Sequence, residues 1–318
     1  MRDAGGMPIL RGGRGRGSRA AAIMSMFAGL TACATVPPSA TPAAPPPAVP
    51  APADAPPAGA RYLYGSGEAA ALTEQAFNAL VAHARLWVAS EKQRPGPRVS
   101  AILGPQATPD QPVALPCRAG QPRAVVFDMD ETLVANLGYE YDDIRHGRTF
   151  DDARWGRFEK TGAASVVALP GAIDALFELR GLGLTMVVNS NRDASAAAET
   201  ERTLADVGLG AFRHGDTLFL KGDLDAKSAK DGRRAAIAAR YCVIAQVGDQ
   251  LSDFSDVFSG PAPARRAAVQ AAATRGLFGT FWFVMPNPVY GTGIAGSWDE
   301  VFPGDKRWTD PASPDDRH

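Results

Sequence analysis

The sequence predicts an α/β fold: a central parallel sheet flanked by helices, with a small helical cap insertion. Three observations carry this expectation. Apolar runs without alternation recur at Ala124–Phe127, Leu184–Val188, Tyr241–Val247 and Phe281–Val284, the pattern of strands covered on both faces. Helical spacings of apolar residues separate these runs, and strand–helix alternation implies a parallel sheet with helices on its faces. Acidic, amide or hydroxyl residues follow the runs, at the strand ends where open α/β sheets keep their ligand sites.

In chain order, Arg11, Arg14, Arg16 and Arg19 precede the apolar run Ala20–Leu30. That run is too short to span a bilayer and suits a signal sequence. It ends in Leu30-Thr31-Ala32-Cys33, which resembles a bacterial lipobox. Residues 1–33 are therefore expected to be a lipoprotein signal peptide with Cys33 as the lipidation site, the alternative being a plain secretory signal. Several acyl chains on one Cys anchor a protein to a membrane without a spanning helix. Ala34 after the Cys leans towards the outer membrane, so the expected location is the bacterial cell envelope, facing the periplasm. Residues 34–60 are dominated by Pro and Ala and read as a semi-rigid spacer that cannot bury a core.

The folded part is expected over 61–303, with 304–318 a flexible tail. Tyr62 to Ser90 has helical periodicity, and Arg98 to Pro122 reads as loop with a short strand or turn. Residues 135–168 read as the cap insertion, with Phe150, Trp155 and Phe158 at helical spacing. Tyr139, Trp155 and Tyr290 either line a substrate mouth or, for the insertion's own aromatics, form its mini-core. Leu169-Pro170-Gly171 opens a helix closed by Gly181 and Gly183. A helix over Ala194–Val207, a short strand at Thr217–Leu220 and a helix running through Ala239 follow. The charge is balanced, with Lys+Arg 33 against Asp+Glu 34, which argues against a nucleic-acid polymer as partner. Cys117 and Cys242 fit no zinc motif; a disulfide between them and two separate thiols both remain open.

Polar residues gather at four successive strand ends or helix starts: Asp128/Asp130, Ser190/Asn191, Lys227/Lys230 and Asp249/Asp253. A lone Asp-x-Asp is an ordinary acidic turn. In this order and spacing the four pairs resemble the motifs of the haloacid-dehalogenase-like phosphohydrolases, whose Rossmann-like fold the resemblance then implies. A phosphate monoester is a dianion that hydrolyses extremely slowly unaided, and an acidic site needs a cation to bind it. The resemblance implies Mg²⁺ held by Asp128, Asp249 and the backbone carbonyl of Asp130. It further implies Asp128 as nucleophile forming an aspartyl-phosphate, with Asp130 as general acid and base. Ser190, Asn191 and a motif Lys, either Lys230 or Lys227, would contact the phosphoryl group. Asp253 would orient that Lys or a metal water. ATPase members have Thr at the position of Asp130, so Asp130 favours a phosphatase.

Asp-x-Asp-Glu-Thr, Ser-Asn-Arg, Lys-Ser-x-Lys-x-x-Arg-Arg, Gly-Asp-x-x-x-Asp-Phe and Pro-Asn-Pro-x-Tyr-Gly together resemble class C (subfamily IIIB) acid phosphatases. These include outer-membrane lipoprotein 5′-nucleotidases, so nucleoside 5′-monophosphates are candidate substrates among small phosphomonoesters. The segment Ala135-Asn136-Leu137-Gly138-Tyr139 only approximates the family's Asn-x-x-Tyr, and the stretch from Gly291 to Trp298 is longer than its usual ending. Two alternatives share these residues: a surface lipoprotein that binds a nucleotide or other cofactor without turnover, and a phosphotransferase using the same intermediate.

Overall fold

Ala60 and Leu63 are buried along α1 (Ala58–Gly65), and Ser66 breaks it from α2 (Gly67–Gln93). Ser66 has extended backbone, and its hydroxyl accepts the Ala69 N–H at 3.1 Å, as an N-cap does. The expected single helix from Tyr62 is thus two, and residues 58–60 belong to α1 rather than to the spacer because Ala60 packs inward. The computed structural model describes residues 54–93, 96, 98–225 and 227–309. The expected signal peptide, Cys33, most of the spacer and the last residues of the tail lie outside these.

The stretch from Arg98, expected as loop with a short strand or turn, holds an antiparallel pair, β1 (Arg98–Leu103) and β2 (Ala114–Cys117). β3 (Arg123–Phe127) leads through β4 (Val134–Ala135) into α3 (Leu137–His146) and α4 (Asp152–Thr161), and β5 (Val167–Ala168) returns to pair with β4. Then come α5 (Ala172–Gly181), β6 (Thr185–Asp193), α6 (Ala197–Asp206) and β7 (Leu218–Lys221). The chain continues with α7 (Asp231–Arg240), β8 (Cys242–Gly248), α8 (Ala262–Gln270), β9 (Trp282–Val284) and α9 (Trp298–Val301). Sequence periodicity did not indicate α8. Residues Gly304–Lys306 of the expected tail form a 3₁₀ turn.

The main sheet has the order β7-β6-β3-β8-β9 and is parallel throughout. Period-two alternation sends Val125 and Phe127 to one face and Ala124 and Val126 to the other. The first face packs on Phe77, Leu80, Leu176 and Leu179 of α2 and α5; the second packs with Ile237 of α7 and Trp282. Each such fully buried side chain contributes roughly 1.5–3 kcal/mol. Central β3 therefore ends with Asp128 flanked on both sides by strands, Phe127 pairing with Val188 of β6 and Val247 of β8.

Cys117 and Cys242 are bonded, with Cα atoms 5.0 Å apart and a sequence separation of 125. The bond ties β2 to β8, and removing a native disulfide typically costs about 2–5 kcal/mol.

Candidate active site

The site grows from the carboxyl ends of β3, β6 and β8. Beyond Phe127 the backbone leaves the sheet, and Glu131 adopts the left-handed region at φ 52°, an uncommon conformation for a residue with a Cβ. Beyond β8 the chain turns at Gly248, where a Cβ would lie 2.3 Å from that of Asp253. Only glycine lets Asp249 and Asp253 share that turn.

Lys230 is buried at the start of α7, and its Nζ donates to Asp128 Oδ1 and, at 2.7 Å, to Asp253 Oδ1. Of the two expected lysines, Lys230 is the one that meets the carboxylates. Lys227 is exposed, three residues before Lys230 on the loop, with its backbone N–H bonded to Asp225; its side chain does not join this cluster. Asp249 accepts from Asn287 Nδ2 at 2.7 Å, Gln250 Nε2 at 2.8 Å and Thr132 Oγ1 at 3.4 Å. Asp253 Oδ2 also accepts the Gln250 N–H at 2.8 Å.

Asp130 faces differently. Its Oδ1 accepts from Arg192 Nη2 at 2.8 Å, Arg192 Nε at 3.0 Å and Asn136 Nδ2 at 2.9 Å. Ser190 Oγ donates to its other oxygen at 3.3 Å and accepts the Arg192 N–H at 3.1 Å. The Ser190 hydroxyl is therefore turned to Asp130, where a phosphoryl contact had been expected. Asn191 does reach the cavity, its Oδ1 held by Arg233 Nη2. Arg192 stands in the Ser-Asn-Arg motif, which assigned it no role, and period-two alternation from Ser190 was the available signal. Asn136 was noticed only as part of an imperfect motif, yet its amide joins Asp130, Glu131 and Arg192.

Glu131 collects donors from both ends of the described chain: Tyr64 O–H at 3.2 Å, Tyr290 O–H, and the Asn136 N–H at 2.9 Å. Burial and then the Asp130 charge push its carboxyl up to about 7. Burial also pushes Asp249 up to about 7, with Asp253 adding to it. Burial raises Asp128 well above the usual carboxylate range; Lys230 pulls it back, and Asp253, Asp249 and Asp130 push it further. Lys230 is itself raised: burial opposes its charge, but Asp128 and Asp253 outweigh that.

One carboxylate oxygen each from Asp128, Asp249 and Asp253 lie within 4.8 Å of one another. Lys230 is the only ammonium paired with this trio among the described residues. Three carboxylates, two buried and that of Asp249 half-buried, against one cation leave a negative excess, and a hard divalent ion fits such an oxygen donor set. The Asp130 side chain is outside the trio, so any share it has in holding a metal falls to its main-chain carbonyl.

Asp128, Asp130, Lys230 and Asp249 line a cavity of about 800 Å³ together with Tyr139, Trp155, Asn191 and Tyr290. Tyr139 and Trp155 pack edge to face at 4.9 Å, and both contact Phe158. They form the insertion's mini-core and part of the cavity wall at once.

A sequence model of the HAD superfamily, subfamily IIIB (acid phosphatase), matches residues 107–293. The chain belongs to that family. The matched span holds all four of the polar pairs at strand ends and helix starts but begins after α1 and α2. Acid phosphatase 1 of Solanum lycopersicum is 31% identical over 134 residues, 40% of this chain and 50% of that protein, so the chain spans about half the length of this relative. The solved class C acid phosphatase of Bacillus anthracis is 25% identical and superposes with a TM-score of 0.57, covering 73% of this chain and 84% of that one. A structure of the Bacillus anthracis class C acid phosphatase with tungstate bound matches equally well in shape, with a TM-score of 0.57 at 22% identity over the same 73% and 84%.

Proposed function

We propose that this subfamily IIIB chain is a Mg²⁺-dependent phosphomonoesterase of the acid phosphatase or 5′-nucleotidase type. The observation that carries the reading is the meeting in one cavity of Asp128, of Asp130 held by Arg192 and Asn136, and of Lys230. Asp128 and Asp249, with the main-chain carbonyl of Asp130, would hold the Mg²⁺, which supplies charge neutralisation between carboxylates and phosphate. An Asp128 oxygen attacks phosphorus in line, forming the aspartyl-phosphate as the bond to the substrate oxygen breaks. Asp130 gives its proton to the departing oxygen, then takes one from the water that cleaves the acyl-phosphate and releases inorganic phosphate. Lys230 faces the oxygens that gain charge, and Asp253 holds it there. An alcohol in place of that water would make the reaction a phosphotransfer.

The substrate class we propose is a small phosphomonoester, including nucleoside 5′-monophosphates, with Tyr139, Trp155 and Tyr290 on the side of the base. The test is phosphate release from a 5′-nucleoside monophosphate by the chain beginning after Cys33, with Mg²⁺ and with EDTA. Release with Mg²⁺ that EDTA abolishes supports the reading; none in either condition, from folded protein, removes it. We also propose export and lipid anchoring through Cys33 to the outer membrane. The Cys117–Cys242 bond supports export because disulfides persist in oxidising compartments. Cys33→Ala should abolish incorporation of a labelled fatty acid, and unchanged labelling would remove the anchor.

A further inference from the structure

One carboxylate in the cavity wall has no partner. Glu140, on α3, is only 8% exposed and lines the same cavity as Asp128 and Asp130. Among the described residues no hydrogen bond or ion pair reaches its side chain. Each other charged side chain in the wall has a hydrogen bond or an ion pair, Asp249 through the neutral donors Asn287, Gln250 and Thr132. Lys230 holds Asp128 and Asp253, Arg148 pairs with Asp142, and Lys221 lies 3.7 Å from Asp152. Arg154, the cation closest to hand for Glu140, is committed elsewhere. It pairs with Asp142 and Asp143, donates to Tyr139 Oη at 2.9 Å and lies over the Tyr139 ring at 4.4 Å. Burial, with Asp143 adding to it, raises the Glu140 carboxyl to about 7.

The Glu140 oxygens are not among the fully enclosed atoms that lack a partner; they open on the cavity, where a carboxylate normally takes a hydrogen-bond donor. A donor supplied by the substrate would satisfy this one. Building on the phosphatase reading, we propose that Glu140 is a specificity-determining residue. It accepts a hydrogen bond from a hydroxyl or ammonium group on the alcohol part of the phosphomonoester. The same carboxylate, beside Asp143 and Asp130, disfavours an alcohol part that carries a second negative charge.

The test measures kcat/KM for O-phosphoethanolamine, adenosine 5′-monophosphate, its 2′,3′-dideoxy form and phenyl phosphate, in the parent protein, Glu140→Gln and Glu140→Leu. The readout is each donor-bearing substrate's value divided by that for phenyl phosphate, which has no donor. In Glu140→Leu this ratio should fall about tenfold or more, the scale of one hydrogen bond to a charged group. A fall for O-phosphoethanolamine alone assigns an ammonium. A fall for adenosine 5′-monophosphate but not its dideoxy form assigns the sugar hydroxyls, and Glu140→Gln, which keeps an acceptor oxygen, should then fall less. Unchanged ratios in both variants overturn the proposal. Should Glu140→Leu not fold, Glu140→Gln decides on the ammonium arm, where loss of charge alone should lower the ratio. If the parent hydrolyses no phosphate ester, the phosphatase reading fails. The ratio is then taken from equilibrium dissociation constants of O-phosphoethanolamine and phenyl phosphate, and equal constants in parent and Glu140→Leu overturn the role of Glu140 separately.

Discussion

The sheet edge and the helical insertion face one cavity but are held together in opposite ways. At the sheet edge, partners come from far along the chain: Lys230 lies 102 residues from Asp128, Arg192 lies 62 from Asp130, and Asn287 lies 38 from Asp249. In the insertion the contacts are local, among Tyr139, Phe150, Trp155 and Phe158, with Arg154 bonded to Tyr139. The reacting groups are thus oriented by the whole fold. The opposite wall is built within one excursion between β4 and β5, tied back to β6 where Glu159 accepts the Asp193 N–H at 3.0 Å.

If that division holds, changes at the sheet edge act on turnover and changes in the insertion act on substrate choice. Asp128→Asn should show the largest effect, a loss of phosphate release of about a thousandfold or more, the scale on which losing a covalent nucleophile acts. Full activity in that variant would sink the covalent mechanism. Arg192→Lys keeps the charge but loses the two-pronged grip on Asp130. We expect kcat to fall roughly 10–100-fold, in line with charged hydrogen bonds worth about 1.5–3 kcal/mol, with KM moving far less; a change confined to KM would place Arg192 with the substrate instead. On the insertion side, Trp155→Ala should raise KM for nucleoside monophosphates about tenfold, within the range of base stacking on an aromatic, and raise it less for phenyl phosphate. Equal effects on both would leave Trp155 only its mini-core role.

The smallest effect is on stability against pH. Glu131 has a folded-state pKa near 7, above its ordinary 4.5. The folded chain therefore binds more protons than the unfolded one between those values, and stability falls as pH rises from about 4.5 to about 7. In EDTA the thermal midpoint should be higher at pH 5 than at pH 7, and Glu131→Gln should flatten the slope. A midpoint that climbs over this interval in the parent would show that other groups dominate.

Asp128, Asp130 and Asp249 were legible in the sequence because each follows an apolar run, and a strand end is a position that local pattern reveals. Spacing to Arg233-Arg234 favoured Lys230 over Lys227, but both precede α7 and burial is what separates them. Arg192 is fully buried, against the usual expectation for arginine, and this hid it. Tyr64 could not be found locally, and Asn287 stood in the Pro-Asn-Pro-x-Tyr-Gly motif without a role, because what ties each to the site is a partner 67 or 38 residues away. In the fold, the parallel strands were legible from their unbroken apolar runs. The β1–β2 hairpin was not, being short, Pro-containing and only half covered. The break at Ser66 carried a readable sign, a serine ahead of Gly67-Glu68, yet apolar periodicity on both sides masked it.

The meeting of Tyr64 and Tyr290 on Glu131 bears on how this protein can be trimmed. Gly59 reinforces that meeting, since a Cβ there would lie 2.2 Å from the main-chain oxygen of Pro288. The family match starts at residue 107, which makes that residue a tempting place to cut. A chain shortened there would lose α1 and α2, strip Phe77 and Leu80 from one face of the sheet, and take away one of the donors to Glu131. A cut in the Pro- and Ala-rich stretch ahead of residue 54 spares all of these contacts. In this protein, sequence likeness begins well inside the unit that has to fold.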